Sequence, residues 1–414
     1  MKKALKVVTV LLTPILLVVA LTQSAAAGAT PQGGFPEAGL TEPVFGTECR
    51  SGRQESGAEY LICVPSRWGA GDDLMVYAHG YMAPGRDVEI PEEQMVIDGT
   101  SITATVTLLG YAFATTSYYT NGLVVRPAIS DLMDLVNIFT TEVGTPSRVY
   151  LVGVSEGGLI TALSIEEHPE IYDGGLAMCG PYGDFQNQIN HFGDFRVVFD
   201  YFFPDLMSGS AITIPENLLK DWESGTLTPT IEAEVEAQEN VTKVNQLLQV
   251  TGVSPYGYNP PTSTESIIRL LWYNVYATED GKQKLGGQPF DNQDRVYVGS
   301  NDDVALNDAV ERFSANPEAS RAISEAYQTT GQLGIAPLVT LHTTGDPVVP
   351  YWHARQYTTK ITQAGRSGLH RNREVERHGH CAFTAGEILN AFYELDGMVS
   401  SLPRLFLPVT MRGS

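Results

Sequence analysis

The pentapeptide Gly153-Val154-Ser155-Glu156-Gly157 stands between a short apolar run, Val149 to Val152, and an apolar stretch at helical spacing, Leu159 to Ile165. A serine in a Gly-x-Ser-x-Gly turn between a buried strand and a helix marks a sharp elbow, which lifts the hydroxyl to the carboxyl edge of a parallel sheet. Gly153 and Gly157 meet the steric demand, because side chains there would strike the adjoining strand and helix. The motif occurs once in the 414 residues.

The surrounding pattern agrees with that geometry. From Leu74 to Pro181, short β-rich runs alternate with helical stretches, the order of a parallel sheet covered on both faces. Strands are expected at Leu74–Ala78, Tyr111–Thr116, Val149–Val152 and Leu176–Cys179, and a helix carries Leu132, Leu135, Val136 and Phe139 on one face. The alternation resumes with a strand at Leu338–Leu341, a helix over 352–363, a strand at Arg373–Arg377 and a helix opened by the Thr384/Glu387 capping box. Between the halves, over residues 184–330, the strand signals stop. Helical spacing, as in Ile268, Leu271, Trp272 and Val275, predicts a helical cap inserted after the sixth strand. The core is thus expected over 44–183 and 331–414.

A serine hydroxyl attacks a carbonyl only when a histidine takes its proton, and an acid must orient that histidine. Asp346, in the loop Gly345-Asp346-Pro347-Val348-Val349-Pro350, follows a strand in the position for the acid. After the last strand, His378-Gly379-His380-Cys381 offers two histidines, and His380, nearer the capped helix, is the expected base. Two backbone N–H groups must meet the oxyanion that forms. Glu156 and Tyr81 are the expected donors, with Gly80 letting the His79-Gly80-Tyr81 loop turn close to the serine.

His-Gly after the third strand, Gly-x-Ser-x-Gly, Gly-Asp-Pro-x-Val-Pro and Gly-His-Cys together resemble the α/β-hydrolase superfamily, over about two thirds of the mature chain. The segments Ser155-Glu156-Gly157-Gly158, Met178-Cys179-Gly180 and Gly379-His380-Cys381-Ala382-Phe383-Thr384 are also similar to secreted bacterial esterase-like serine hydrolases. The resemblance implies Ser155, Asp346 and His380 as a triad on an α/β-hydrolase fold. No cofactor and no metal are expected, and none of the cysteine spacings resembles a zinc site. It names no substrate. An ester, small or polymeric, is the expected substrate. A peptidase on the same scaffold and an inactive hydrolase-like binding protein are the rivals.

Lys2, Lys3 and Lys6 before the apolar run Val7–Leu21, and Ala25-Ala26-Ala27 after it, read as an export signal over 1–27, with no stable membrane anchor after cleavage. Residues 28–43 read as a flexible Gly/Pro-rich lead-in. The protein is expected outside the cytoplasm, secreted or periplasmic. The formal charge of −22 disfavours nucleic acid as a partner, since phosphate binding needs clustered Lys and Arg. Loss of residues 1–27 removes three lysines and no acid, so the balance becomes more negative still.

Cys49, Cys63, Cys179 and Cys381 form an even set in an oxidising compartment. A hairpin would bring Cys49 to Cys63. In this fold the strand of Cys179 lies beside the elbow strand, so a Cys179–Cys381 bond would tether the histidine loop. Two features have competing readings. The aromatic run Phe185, Phe192, Phe195, Phe199, Tyr201, Phe202, Phe203 either packs the cap or walls a substrate site. The oxygen-rich residues Asp291, Asn292, Asp294, Asn301, Asp302 and Asp303 form either a solvated loop or a calcium site.

Overall fold

A computed structural model describes residues 46–69, 71–253 and 262–402. The expected export signal and lead-in lie outside them. The main sheet has eight strands: β1 Thr47–Arg53, β2 Glu59–Pro65, β3 Leu74–Ala78, β4 Ala112–Thr116, β5 Val149–Val154, β6 Gly174–Met178, β7 Leu338–Gly345 and β8 His370–His378. Their spatial order is β1-β2-β4-β3-β5-β6-β7-β8, with β2 antiparallel to both of its neighbours, β1 and β4, and every other pairing parallel. A mostly parallel sheet in this order, with helices on both faces, is the α/β-hydrolase fold.

Each buried strand feeds two cores by its period-two alternation. On one face Leu74, Val76, Ala112, Ala114, Leu151 and Ala177 pack under helices α2 (Val125–Glu142), α3 (Glu156–Glu167) and α11 (Trp352–Gln363). On the other, Met75, Tyr77, Phe113, Tyr150, Val152 and Met178 meet α1 (Ile102–Leu108) and α12 (Ala385–Ser401). The capping box that opens α12 is formed in full by Thr384 and Glu387.

Between β6 and β7 the described residues form helices α4 (Phe185–Phe202), α5 (Glu216–Glu223), α6 (Leu227–Glu236), α7 (Val241–Thr251), α8 (Thr262–Leu285), α9 (Asp303–Ala309) and α10 (Pro317–Ala326). They enclose a core of their own around Phe195, Phe199, Leu247, Leu248, Leu270 and Leu271. The aromatic run divides accordingly: Phe195, Phe199, Phe202 and Phe203 fill that core, whereas Phe185 and Phe192 line a cavity at Ser155.

Several boundaries depart from the sequence reading. Strand β6 begins at Gly174 rather than Leu176, because Gly174 and Gly175 leave room for Leu395, Val399, Ile165 and Leu338; a Cβ on Gly175 would lie 2.5 Å from Ile165. Strand β8 begins at His370. Its first residues are polar because it is an edge strand, paired only with β7. The short ladder Val96–Ile97 with Thr100–Ser101, and α1 after it, carry no periodic signal long enough to announce them.

Candidate active site

Strand β5 delivers Ser155 to α3 through a turn in which the serine takes φ 54°, ψ −121°. This is a costly conformation for a residue with a Cβ, held by its surroundings. Glycine is required on both sides. A Cβ on Gly153 would lie 2.1 Å from the Gly157 carbonyl oxygen, and one on Gly157 would lie 2.1 Å from that of Ala78. The backbone N–H of Ser155 donates to Met178 O at 2.9 Å, which fixes the turn to β6.

The loop after β8 places His380 against this serine. Ser155 Oγ is 2.9 Å from His380 Nε2, and His380 Nδ1 is 2.8 Å from Asp346 Oδ2. With Nδ1 protonated, the ring donates to the carboxylate and accepts the serine hydroxyl. Asp346 has no exposed side-chain surface, and its other oxygen accepts from Val348 N–H and Val349 N–H, both at 2.9 Å. His378 lies elsewhere, with Nε2 3.1 Å from Ser266 Oγ on α8.

Residues that the sequence reading left unassigned hold the aspartate loop. His191 donates to Pro347 O, Gln188 to Val348 O and His342 to Val349 O, at 2.8–2.9 Å. His342 also accepts from Tyr182 O–H at 3.0 Å. Burial pushes the imidazoles of His191 and His342 below the usual histidine range, which keeps them neutral. Two of these supports come from α4, so the cap and the aspartate loop are one hydrogen-bonded unit. No sequence signal links residues some 160 positions apart.

Opposite the elbow, Gly80 lies close to the serine: a Cβ there would be 3.1 Å from Ser155 Cβ. Gln94 Oε1 accepts from Gly80 N–H at 2.7 Å. His79 stacks on Tyr118, with ring centroids 3.9 Å apart, and Tyr118 O–H donates to His79 O. The Tyr81 and Glu156 backbone N–H groups, on either side of Ser155, have no acceptor among the described residues. Two free donors at a half-buried serine can stabilise a developing oxyanion.

Both disulfides join the pairs expected. Cys49 and Cys63 face each other across β1 and β2 with Cα atoms 4.0 Å apart, and Cys179 and Cys381 bond with Cα atoms 5.4 Å apart. The second bond ties the residue after His380 to the end of β6. Closing a loop of 202 residues contributes roughly 5 kcal/mol in the chain-entropy account. Replacing Cys179 and Cys381 together by alanine is expected to lower Tm and, by loosening His380, to cut kcat by about ten- to a hundredfold. Unchanged kcat with a lowered Tm would limit the bond to stability.

The acidic loop is occupied by its own backbone. Asp291 accepts from Gln293 N–H and Ala315 N–H, Asp302 caps α9 through Ala305 N–H, and Asp303 accepts from Gly299 N–H and Ser300 N–H. Among the described residues, the one His/Cys/Asp/Glu group with metal-site spacing is Cys179, His380 and Cys381, whose two sulfurs are bonded to each other.

No family model matches the chain, and no curated protein matches it. Solved structures do. A Pyrococcus horikoshii acylaminoacyl peptidase matches at 10% identity with a TM-score of 0.44, over 87% of this chain and 43% of that one. Brefeldin A esterase, a bacterial homologue of human hormone-sensitive lipase, matches at 10% identity and 0.43, over 86% and 76%. A Pyrococcus furiosus esterase matches at 10% and 0.41, over 86% and 90%. The chain spans less than half the length of the acylaminoacyl peptidases it matches. None of these likenesses assigns a reaction to it.

Proposed function

We propose that the chain is an exported serine hydrolase that cleaves carboxylic esters, with Ser155 as nucleophile, His380 as base and Asp346 as its orienting acid. The observation that carries the reading is the continuous hydrogen-bonded relay from Ser155 Oγ through His380 to Asp346, at 2.9 and 2.8 Å. Ser155 Oγ attacks the ester carbonyl carbon while its proton passes to His380 Nε2, and the Tyr81 and Glu156 N–H groups receive the oxyanion. The intermediate collapses, and the alkoxide leaves as alcohol with the proton from His380. Water then attacks the acyl-enzyme, giving its proton to His380, and the acid departs as that proton returns to Ser155 Oγ.

Ester rather than peptide cleavage is supported by the cavity beside Ser155. Its described lining holds one ionisable carboxyl, Glu156, among apolar residues such as Leu123, Phe185, Ile189, Phe192 and Leu285. Burial pushes that carboxyl up to about 8, so at neutral pH it is uncharged and a poor partner for a peptide ammonium terminus. Export is supported by the basic start, apolar run and Ala-Ala-Ala of residues 1–27, and is compatible with two disulfides. Among the described residues no helix is long and apolar enough to cross a membrane.

The test compares p-nitrophenyl acyl esters with aminoacyl p-nitroanilides at pH 7. Ester turnover that disappears with Ser155→Ala is expected. Anilide cleavage exceeding ester cleavage would replace the ester reading with a peptidase.

A further inference from the structure

The cavity at Ser155, about 110 Å³, is almost wholly apolar, and its polar lining divides into two kinds. One kind is already engaged. Gln188 bonds Val348 O and His353, Asn274 bonds Arg196 and Ala211 O, and Gln288 bonds Phe290 and Ser314. The other kind consists of two groups, the Tyr81 hydroxyl and Glu156 Oε2. Both are buried, and neither has a hydrogen-bond partner among the described residues.

Neighbouring charges do not account for them. Glu156 Oε1 accepts from Val124 N–H at 3.1 Å, which leaves Oε2 free. The nearby cation, Lys284, is held by Asp280 at 2.7 Å and by the Asn121 carbonyl. Tyr81 is fixed by an edge contact with Trp272 and a tilted contact with Tyr273, so its ring is not free to turn toward solvent. A buried unmatched polar atom is destabilising, and two of them on residues that line one apolar cavity beside a nucleophile point to a ligand group that completes them.

We infer that Tyr81 and Glu156 form a receptor for a neutral hydroxyl group carried on the acyl chain of the substrate, so that the enzyme prefers hydroxyacyl esters to alkyl esters. A hydroxyl matches the pair in both directions: it accepts from the Glu156 carboxylic acid and donates to the Tyr81 oxygen. The carboxyl is protonated at neutral pH because burial outweighs the lowering effects of Val124 N–H and Lys284. The cavity's size sets the scale of the chain, since cavities near 150 Å³ hold about six heavy atoms. This inference rests on the ester-hydrolase reading.

The test measures kcat/KM by pH-stat on the methyl esters of hexanoic acid and its 3-, 5- and 6-hydroxy derivatives, with 6-aminohexanoate as the cationic comparison. At least one hydroxy ester is expected to exceed hexanoate by about tenfold or more in the wild type. Tyr81→Phe and Glu156→Met should each cut that ratio about tenfold, and Glu156→Gln, which keeps a donor, should retain part of it. Tyr81→Phe removes only an unpartnered hydroxyl, so it is the variant that tests the inference if Glu156→Met does not fold. Hexanoate as good as every hydroxy ester, a ratio that survives both substitutions, or a preference for the amino ester would overturn it while leaving the hydrolase reading intact. No turnover of any ester would remove both.

Discussion

Ser155→Ala is expected to lower kcat for a p-nitrophenyl ester by about 10⁴- to 10⁶-fold while the protein folds as before. The size follows from the chemistry: without Oγ no acyl-enzyme forms, and what remains is the help the oxyanion donors and the cavity give to direct attack by water. The unchanged fold follows from the backbone. Ser155 pays for its φ of 54° through its Cβ, and alanine carries the same Cβ, so the strain is neither relieved nor increased. The Ser155 N–H bond to Met178 O is also kept. Kinetics together with a thermal melt separate the two effects. A fall in kcat accompanied by a large fall in Tm would assign Ser155 a structural role instead.

Asp346→Asn should lower kcat by about 10⁴-fold through the histidine rather than through unfolding. The asparagine oxygen would turn to Val348 N–H and Val349 N–H, the two donors that hold Oδ1 now. Its amide nitrogen would then face His380 Nδ1, which becomes the acceptor, and the ring proton moves to Nε2. In that tautomer the ring cannot take the Ser155 proton. His380→Ala should be as damaging as Ser155→Ala, and the double variant no worse than either, because the groups act as one unit. His378→Ala should be mild, since that ring bonds Ser266. Rates of the five variants measured side by side check this, and a severe His378→Ala beside a mild His380→Ala would reassign the base.

Local rules made much of this fold readable from the chain. The elbow glycines, the run Val149–Val152 before them and the Thr384/Glu387 box each depend on contacts within a few residues, and such contacts leave periodic or positional marks. The strand order placed the loops after β5, β7 and β8 at one edge, so Ser155, Asp346 and His380 were legible as a set before their distances were known. What holds them was not legible. His191 and Gln188 act across the boundary between cap and sheet, Tyr182 and His342 join segments about 160 residues apart within the sheet domain, and a buried histidine that steadies a carbonyl looks like any other histidine in a sequence. Gly174 and Gly175 fell outside the expected strand although they begin it, because the room they make is for side chains of α3, β7 and α12. Glu156 entered the sequence reading only as an expected backbone donor. Its side chain's unmatched oxygen became visible only with the cavity around it.

The most direct measurement is covalent labelling of the whole protein with a fluorophosphonate, read by intact mass and peptide mapping. One adduct is expected, on the peptide containing Ser155, absent from Ser155→Ala and formed far more slowly in His380→Ala. An adduct on another serine, or no adduct in a preparation that still hydrolyses esters, would contradict the assignment of Ser155 as the nucleophile.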